Sequence, residues 1–160
     1  MDAALSYLTA KARTVREMEL HLDKMEFGEV EVYDCVERLK ELGYLNDEKY
    51  AWDFVESRLR TKPVSRRKLR EQLFAHKLDK DCIDGALTQV TDEVERENAA
   101  KIAAKYWEEF ENLEEFDRKT RVMRRLLGRG YAFGLVRERV EAVIGDTGDM
   151  DIAAMEEEAE

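Results

Sequence analysis

Five apolar positions recur three times along this chain with their spacing intact, and that recurrence restricts the fold more than any single motif does. Met18, Leu22, Phe27, Val32 and Val36 align with Leu69, Leu73, Leu78, Ile83 and Leu87 at a shift of 51 residues, and with Val122, Leu126, Tyr131, Val136 and Val140 at a further 53. The first two and the last two members of each set lie one helical turn apart, and the register survives the turn between them. Amphipathic helices of unrelated origin have no reason to keep such spacing through a turn. Each unit is too small to bury a full core alone, so neighbours are expected to stack into an elongated, curved body with a long concave face.

The rest of the sequence agrees on helix. One proline occurs in 160 residues, and charged residues make up 40% of the chain. With Glu, Lys, Arg, Leu and Ala abundant and 3.6-residue spacing throughout, the chain reads as all-α: three tandem three-helix repeats over residues 1–45, 46–91 and 92–145. Residues 146–160 hold seven acids and no base, and read as an acidic, disordered tail.

Residues 4–12 suit a short first helix. Thr14 then caps a second, with Glu17 completing a capping box and Val15, Met18, Leu22 and Met25 as its apolar line; Phe27-Gly28 ends it. A third helix, 29–42, faces inward through Val32, Val36 and Leu39. At the corner Leu42-Gly43-Tyr44-Leu45-Asn46-Asp47, Gly43 supplies the left-handed residue that ends one helix, and Asn46 or Asp47 caps the next. Tyr44 and Leu45 are expected to fold back and seal the core. Tyr50, Ala51, Phe54, Val55 and Leu59 then form one stripe, and Pro63 separates this helix from a fifth that Ser65 caps. Further helices are expected over 80–90, 92–110, 116–128 and 133–144.

Catalytic groups do not converge in this sequence. His21 and His76 stand alone with no cysteine or carboxylate at metal-ligand spacing, and read as surface histidines. Gly128-Arg129-Gly130 lacks the lysine-serine pair of a phosphate loop. Cys35 and Cys82 each adjoin a core position and read as reduced, buried thiols. Neither an enzyme, a metal site nor a cofactor is expected. No run of about eighteen apolar residues occurs, and Met1-Asp2-Ala3 does not open a basic-then-apolar leader, so the expected place is the cytoplasm, without membrane contact.

The basic clusters carry the functional signal. Arg58, Arg60, Lys62, Arg66, Arg67, Lys68 and Arg70 put seven positive charges into thirteen residues without one acid, in a chain whose net charge is −10. Arg118, Lys119, Arg121, Arg124, Arg125 and Arg129 repeat the pattern in the third unit. Arginine's planar fork pairs bidentately with carboxylate and phosphate. Arg58, Arg60, Lys62, Arg66, Arg67, Arg70, Arg121, Arg124 and Arg125 are therefore the candidate partner- or phosphate-binding residues. Arg66, Arg67 and Arg70 are expected to point outward, away from the inward line of Leu69 and Leu73.

A resemblance becomes specific in the stretch from Glu37 to Leu73. The corner Glu37–Ala51, then Phe54-Val-Glu-Ser-Arg-Leu59, then Ser65-Arg-Arg-Lys-Leu-Arg-Glu-Gln-Leu73 resembles the RecX regulatory proteins, as does Leu126-Leu-Gly-Arg-Gly-Tyr131 followed by Val136. The likeness covers roughly residues 4–145. One departure stands out: the family often has Lys-Gly or Arg-Gly before the turn residue, and here only Arg129-Gly130 keeps that pair. Met25-Glu26 and His76-Lys77 replace it in the first and second units, which questions the turn geometry there.

The resemblance implies an all-helical, non-enzymatic cytoplasmic modulator of the RecA recombinase. It would be a monomer that lies in the groove of the RecA filament on DNA and mainly inhibits its ATPase, strand-exchange and co-protease activities in recombinational repair. Weak direct contact with DNA belongs to the same picture. Two alternatives remain open at this point: a direct DNA-binding protein built from helix-turn-helix-like modules, and a helical scaffold for another partner. The overall acidity counts against the first. For the stacked repeats, small-angle scattering should give a radius of gyration above the roughly 15 Å of a compact globule of this length. A compact profile would rule the stack out.

Overall fold

Side-chain caps at Thr14, Asn46, Ser65, Asp79 and Thr91 fix where five of the helices begin. The computed structural model describes residues 1–145, and those residues form nine α-helices and no strand. They are α1 Asp2–Ala10, α2 Val15–Lys24, α3 Glu29–Glu41, α4 Asp47–Thr61, α5 Arg66–Ala75, α6 Lys80–Leu87, α7 Asp92–Glu109, α8 Glu115–Gly128 and α9 Phe133–Val143. The tail expected at 146–160 lies outside the described residues. The chain divides into two compact units, one of Met1–Ser57 with Arg70–Gln89, the other of Arg58–Leu69 with the chain from Val90 on.

In the first unit, Thr14 accepts a hydrogen bond from the Glu17 N–H, and the Glu17 carboxylate accepts one from the Thr14 N–H, which completes the capping box at α2. The same threonine is fully buried, and its hydroxyl donates to the His76 carbonyl at 2.7 Å. Asn46 caps α4 by accepting from Lys49, while Asp47 accepts the Val15 N–H at 2.8 Å. The two corner residues thus serve two different helices. Ala4, Met18, Leu22, Val32, Val36, Leu39 and Leu45 close one core.

Gly43 sits at φ +80°, and Tyr44 donates its N–H back to Leu39 at 2.9 Å. This reversal directs Leu45 into the core at 2% exposure and leaves Tyr44 outside at 58%. The expectation that both would seal the core holds for Leu45 alone, because successive residues leave the reversal in opposite directions. Met25, placed on the apolar line of α2, is instead its exposed C-cap.

The second unit is organised on α7, α8 and α9, which pack on one another. Its core is Ala99, Ile102, Ala103, Val122, Met123, Leu126, Leu127, Tyr131, Val136 and Val140. Thr91 caps α7 by accepting from Val94. Ser65 caps α5 by accepting from Lys68 at 3.0 Å, and a second acceptor from α7, the Glu95 carboxylate, takes the Arg66 N–H at 2.6 Å. Burying apolar side chains at these positions provides most of the drive to fold, at roughly 25 cal/mol per Å².

Of the fifteen aligned positions, fourteen are buried; Phe27, 39% exposed, is the exception. The turns are conserved as well. Glu26 and Lys77 both have φ 65° and Gly130 has φ 88°, at the same place in all three sequence repeats. The departure from glycine at the first two therefore changes the residue and not the turn. A side chain held in the left-handed region is strained by roughly 1–2 kcal/mol, and glycine's greater freedom when unfolded offsets part of the gain from removing it. Glu26→Gly and Lys77→Gly should each stabilise the protein by about 0.5–1 kcal/mol in denaturant unfolding. Gly130→Ala should act oppositely and cost about 2–3 kcal/mol, since a Cβ there would collide with Ser65 Oγ and press Lys68 Cβ at 3.0 Å. Equal responses at the three positions would contradict a shared turn.

Candidate functional site

The two basic clusters are built differently from how they read in sequence. All candidate cations except Arg70 belong to the second unit; Arg70 belongs to the first. Arg60, Lys62, Arg67, Arg121, Arg124 and Arg125 are exposed, and Arg58 is half-buried.

Arg66 departs from the outward-pointing expectation. It is half-buried, its guanidinium is 2.5 Å from Asp92 and 3.9 Å from Glu95, and both acids lie on α7. Arg70 is exposed but pairs with Asp84 on α6 at 2.6 Å. The run 58–70 has no acid in sequence, yet folding brings acids to it from 14 to 29 residues away. Exposed ion pairs of this kind contribute about 0–1 kcal/mol each. Their larger consequence is that Arg66 and Arg70 are already engaged.

Four arginines of α8 and its cap fall on one helical face at i, i+3, i+7 and i+11: Arg118, Arg121, Arg125 and Arg129. That face meets the aromatics of α7. The Arg118 guanidinium lies 3.7 Å over the Trp107 ring, and its Nε donates to the Trp107 carbonyl at 2.7 Å. Arg121 stands 6.0 Å over Phe110, Arg125 is 5.9 Å from Phe110 and 5.7 Å from Tyr106, and Arg129 is 5.6 Å from Tyr106. Tyr106 and Phe110 themselves stack at 5.8 Å. Each such cation–π contact is worth about 0.5–1 kcal/mol at exposed sites and holds the guanidinium plane in a fixed orientation.

Arg129 ties this ladder to the turn of the other cluster. Its guanidinium donates to the Pro63 carbonyl at 2.8 Å and to the Tyr106 hydroxyl at 3.0 Å, and its own carbonyl accepts the Ser65 N–H at 2.9 Å. Lys68 closes the same corner by donating to the Gly128 carbonyl. The second unit therefore joins both basic segments through one arginine. Tyr106, Trp107 and Phe110 are partly buried against the core of the same unit, so the rings that carry the ladder are also part of its packing. The signal for the ladder was the three- and four-residue spacing of the arginines, which was available in the sequence.

His76 is not isolated. Its Nδ1 lies 3.1 Å from the Tyr50 hydroxyl and 3.3 Å from the Glu17 carboxylate, partners 26 and 59 residues away that no local spacing could reveal. His21 stacks on Tyr7 at 3.8 Å, with Arg13 over the same ring at 3.7 Å. Burial first, and then the Asp79 carboxylate, push the Cys82 thiol up to about 11, which keeps it protonated and unsuited to nucleophilic work. Among the described residues, no group of three or more His, Cys, Asp or Glu could hold a metal ion, and no helix is long and apolar enough to cross a membrane.

What the arrangement can do is present oriented guanidiniums to an anionic partner. Models of the RecX first, second and third three-helix domains match residues 1–39, 46–87 and 93–139. The regulatory protein RecX of Streptomyces coelicolor is 29% identical over 145 residues, covering 91% of this chain and 77% of that protein. The regulatory protein RecX of Bacillus subtilis is 26% identical over 142 residues, 89% of this chain and 54% of that protein. A crystal structure of RecX from Lactobacillus salivarius shares the fold with a TM-score of 0.75, at 22% identity, over 89% of this chain and 92% of that one. Three domain models matched in order over most of the described residues leave one assignment, and this chain belongs to the RecX family.

Proposed function

We propose that this chain is a non-enzymatic, monomeric regulator of the RecA recombinase in the cytoplasm. It binds RecA filaments on DNA and mainly inhibits their ATPase, strand-exchange and co-protease activities. The observation that carries this reading is the presence of all three RecX three-helix domains in order along the chain. The arginine face of the second unit supports it physically, because oriented guanidiniums suit both acidic protein surface and DNA phosphate. The boundaries 1–45, 46–91 and 92–145 belong to the same proposal as its three modules.

A direct DNA-binding role is the second reading, and the exposure of Arg121 and Arg125 favours it. Against it stands the net charge of −10, since a free-standing nonspecific binder presents a basic face on a basic domain.

The structure selects the charges to invert. Arg66→Glu would set a third acid beside Asp92 and Glu95 and disturb the fold, so it is a poor probe. Arg67→Glu, Arg121→Glu and Arg125→Glu together should leave the melting temperature within about 3 °C, weaken binding to RecA–single-stranded DNA filaments at least tenfold and relieve inhibition of RecA-driven ATP hydrolysis. A well-folded triple variant that inhibits as the parent does would remove these residues from the site. Salt separates the two readings. Binding to a bare single strand should need no RecA and weaken with a slope of roughly −0.7 per phosphate contact. Binding to the filament should need RecA and keep a salt-resistant part.

A further inference from the structure

One cavity of about 190 Å³ lies within the first unit and shares no residue with the arginine face. Tyr7 of α1 lines it, together with Glu17, His21 and Lys24 from one face of α2, and Ala75 and Lys77 at the exit of α5. His76 pins that exit to α2. The fully buried Thr14 donates its hydroxyl to the His76 carbonyl at 2.7 Å, and the His76 Nδ1 lies 3.3 Å from the Glu17 carboxylate. With His76 fixed, the next residue, Lys77, becomes part of the cavity wall.

The charges around the cavity are unevenly matched. Both oxygens of Glu17 are engaged, one by the Thr14 N–H at 3.0 Å and the other by His76. Lys24 and Lys77 are exposed, and among the described residues neither ammonium group has a carboxylate partner. His21 is held flat by stacking on Tyr7 at 3.8 Å, with 6° between the rings. The Arg13 guanidinium lies 3.7 Å from the same ring, so it covers the opposite face and adds a third positive charge nearby. Lys77 also holds φ 65° at a turn where the third repeat has glycine. The fold alone is better served by glycine there; what lysine adds is an ammonium group at the cavity wall.

We propose that this cavity binds the dianion of a small phosphate monoester. Lys24 and Lys77 supply two positive charges for its two negative ones, and their N–H groups donate to the phosphate oxygens. The His21 ring adds a donor on the same wall, and the space beside the Tyr7–His21 pair takes part of the esterified group. Every residue of the site belongs to the first unit, so the proposal stands or falls independently of the RecA reading.

The test titrates inorganic phosphate and glycerol phosphate into the full-length chain at about pH 8, where both are largely dianions. Ionic strength is held constant with chloride, and the ring-proton NMR signals of the two histidines are followed. The His21 signals should shift along a saturable curve. Lys24→Gln and Lys77→Gln should each weaken binding about fivefold. Lys77→Gly should lose binding to the same extent while raising the melting temperature, a combination that a lysine with a purely structural role could not produce. Signals that follow chloride as closely as phosphate would overturn the proposal, and would leave the two lysines to serve the carbonyl ends of α2 and α5. Affinity unchanged in the lysine variants would overturn it as well. A single-stranded DNA oligomer without terminal phosphate that shifts His21 as strongly as the monoester would assign the cavity to backbone diesters and overturn the monoester assignment.

Discussion

A single left-handed residue in each of the three sequence repeats sets where the following helix begins, and the buried pattern depends on it. Glu26, Lys77 and Gly130 hold the same positive φ although only one of them is glycine. A helix that ended without that reversal would send Val32, Ile83 or Val136 away from the preceding helix. Tertiary burial of fourteen aligned side chains over-determines the turn, which lets Glu and Lys occupy a conformation that their Cβ atoms disfavour. The third copy needs glycine for a further reason, because Ser65 and Lys68 pack directly on it.

That third turn also joins the two basic segments of the second unit. Gly130 follows Arg129, whose side chain and carbonyl hold Pro63 and Ser65 in place. The cap of α5 and the arginine ladder of α8 are thus parts of one construction. Guanidiniums stacked on rings lose little further freedom when an anion arrives, which favours binding on entropic grounds. The ladder leaves Arg121 and Arg125 facing outward, while Arg118 and Arg129 are committed to backbone carbonyls.

Much of the fold was legible in the sequence because it is written locally. Thr14 with Glu17, Ser65, Gly43 and Asn46 act within four residues of themselves, and every one performs the role its type suggests. The repeat was legible because burial selects residue type at helical spacing. Interactions set by long-range packing were not legible. Asp92 and Glu95 reach Arg66 from another helix, Glu17 and Tyr50 surround His76, and Asp47 turns back to serve Val15. Tyr44, Met25 and Phe27 are apolar residues left at the surface beside turns, where one dihedral decides between inside and out. The candidate site lay between these cases: its charges were visible, but which of them were free to act depended on acids and rings contributed by distant segments.

The central claim is that the arginine face of the second unit is the working surface of this RecX-family chain. Hydrogen exchange measured with and without RecA–single-stranded DNA filaments tests it most directly. The account predicts added protection concentrated in peptides spanning α8 and the adjoining end of α7, residues 105–129. Protection confined to residues 1–57, with α8 exchanging as it does in the free protein, would contradict it.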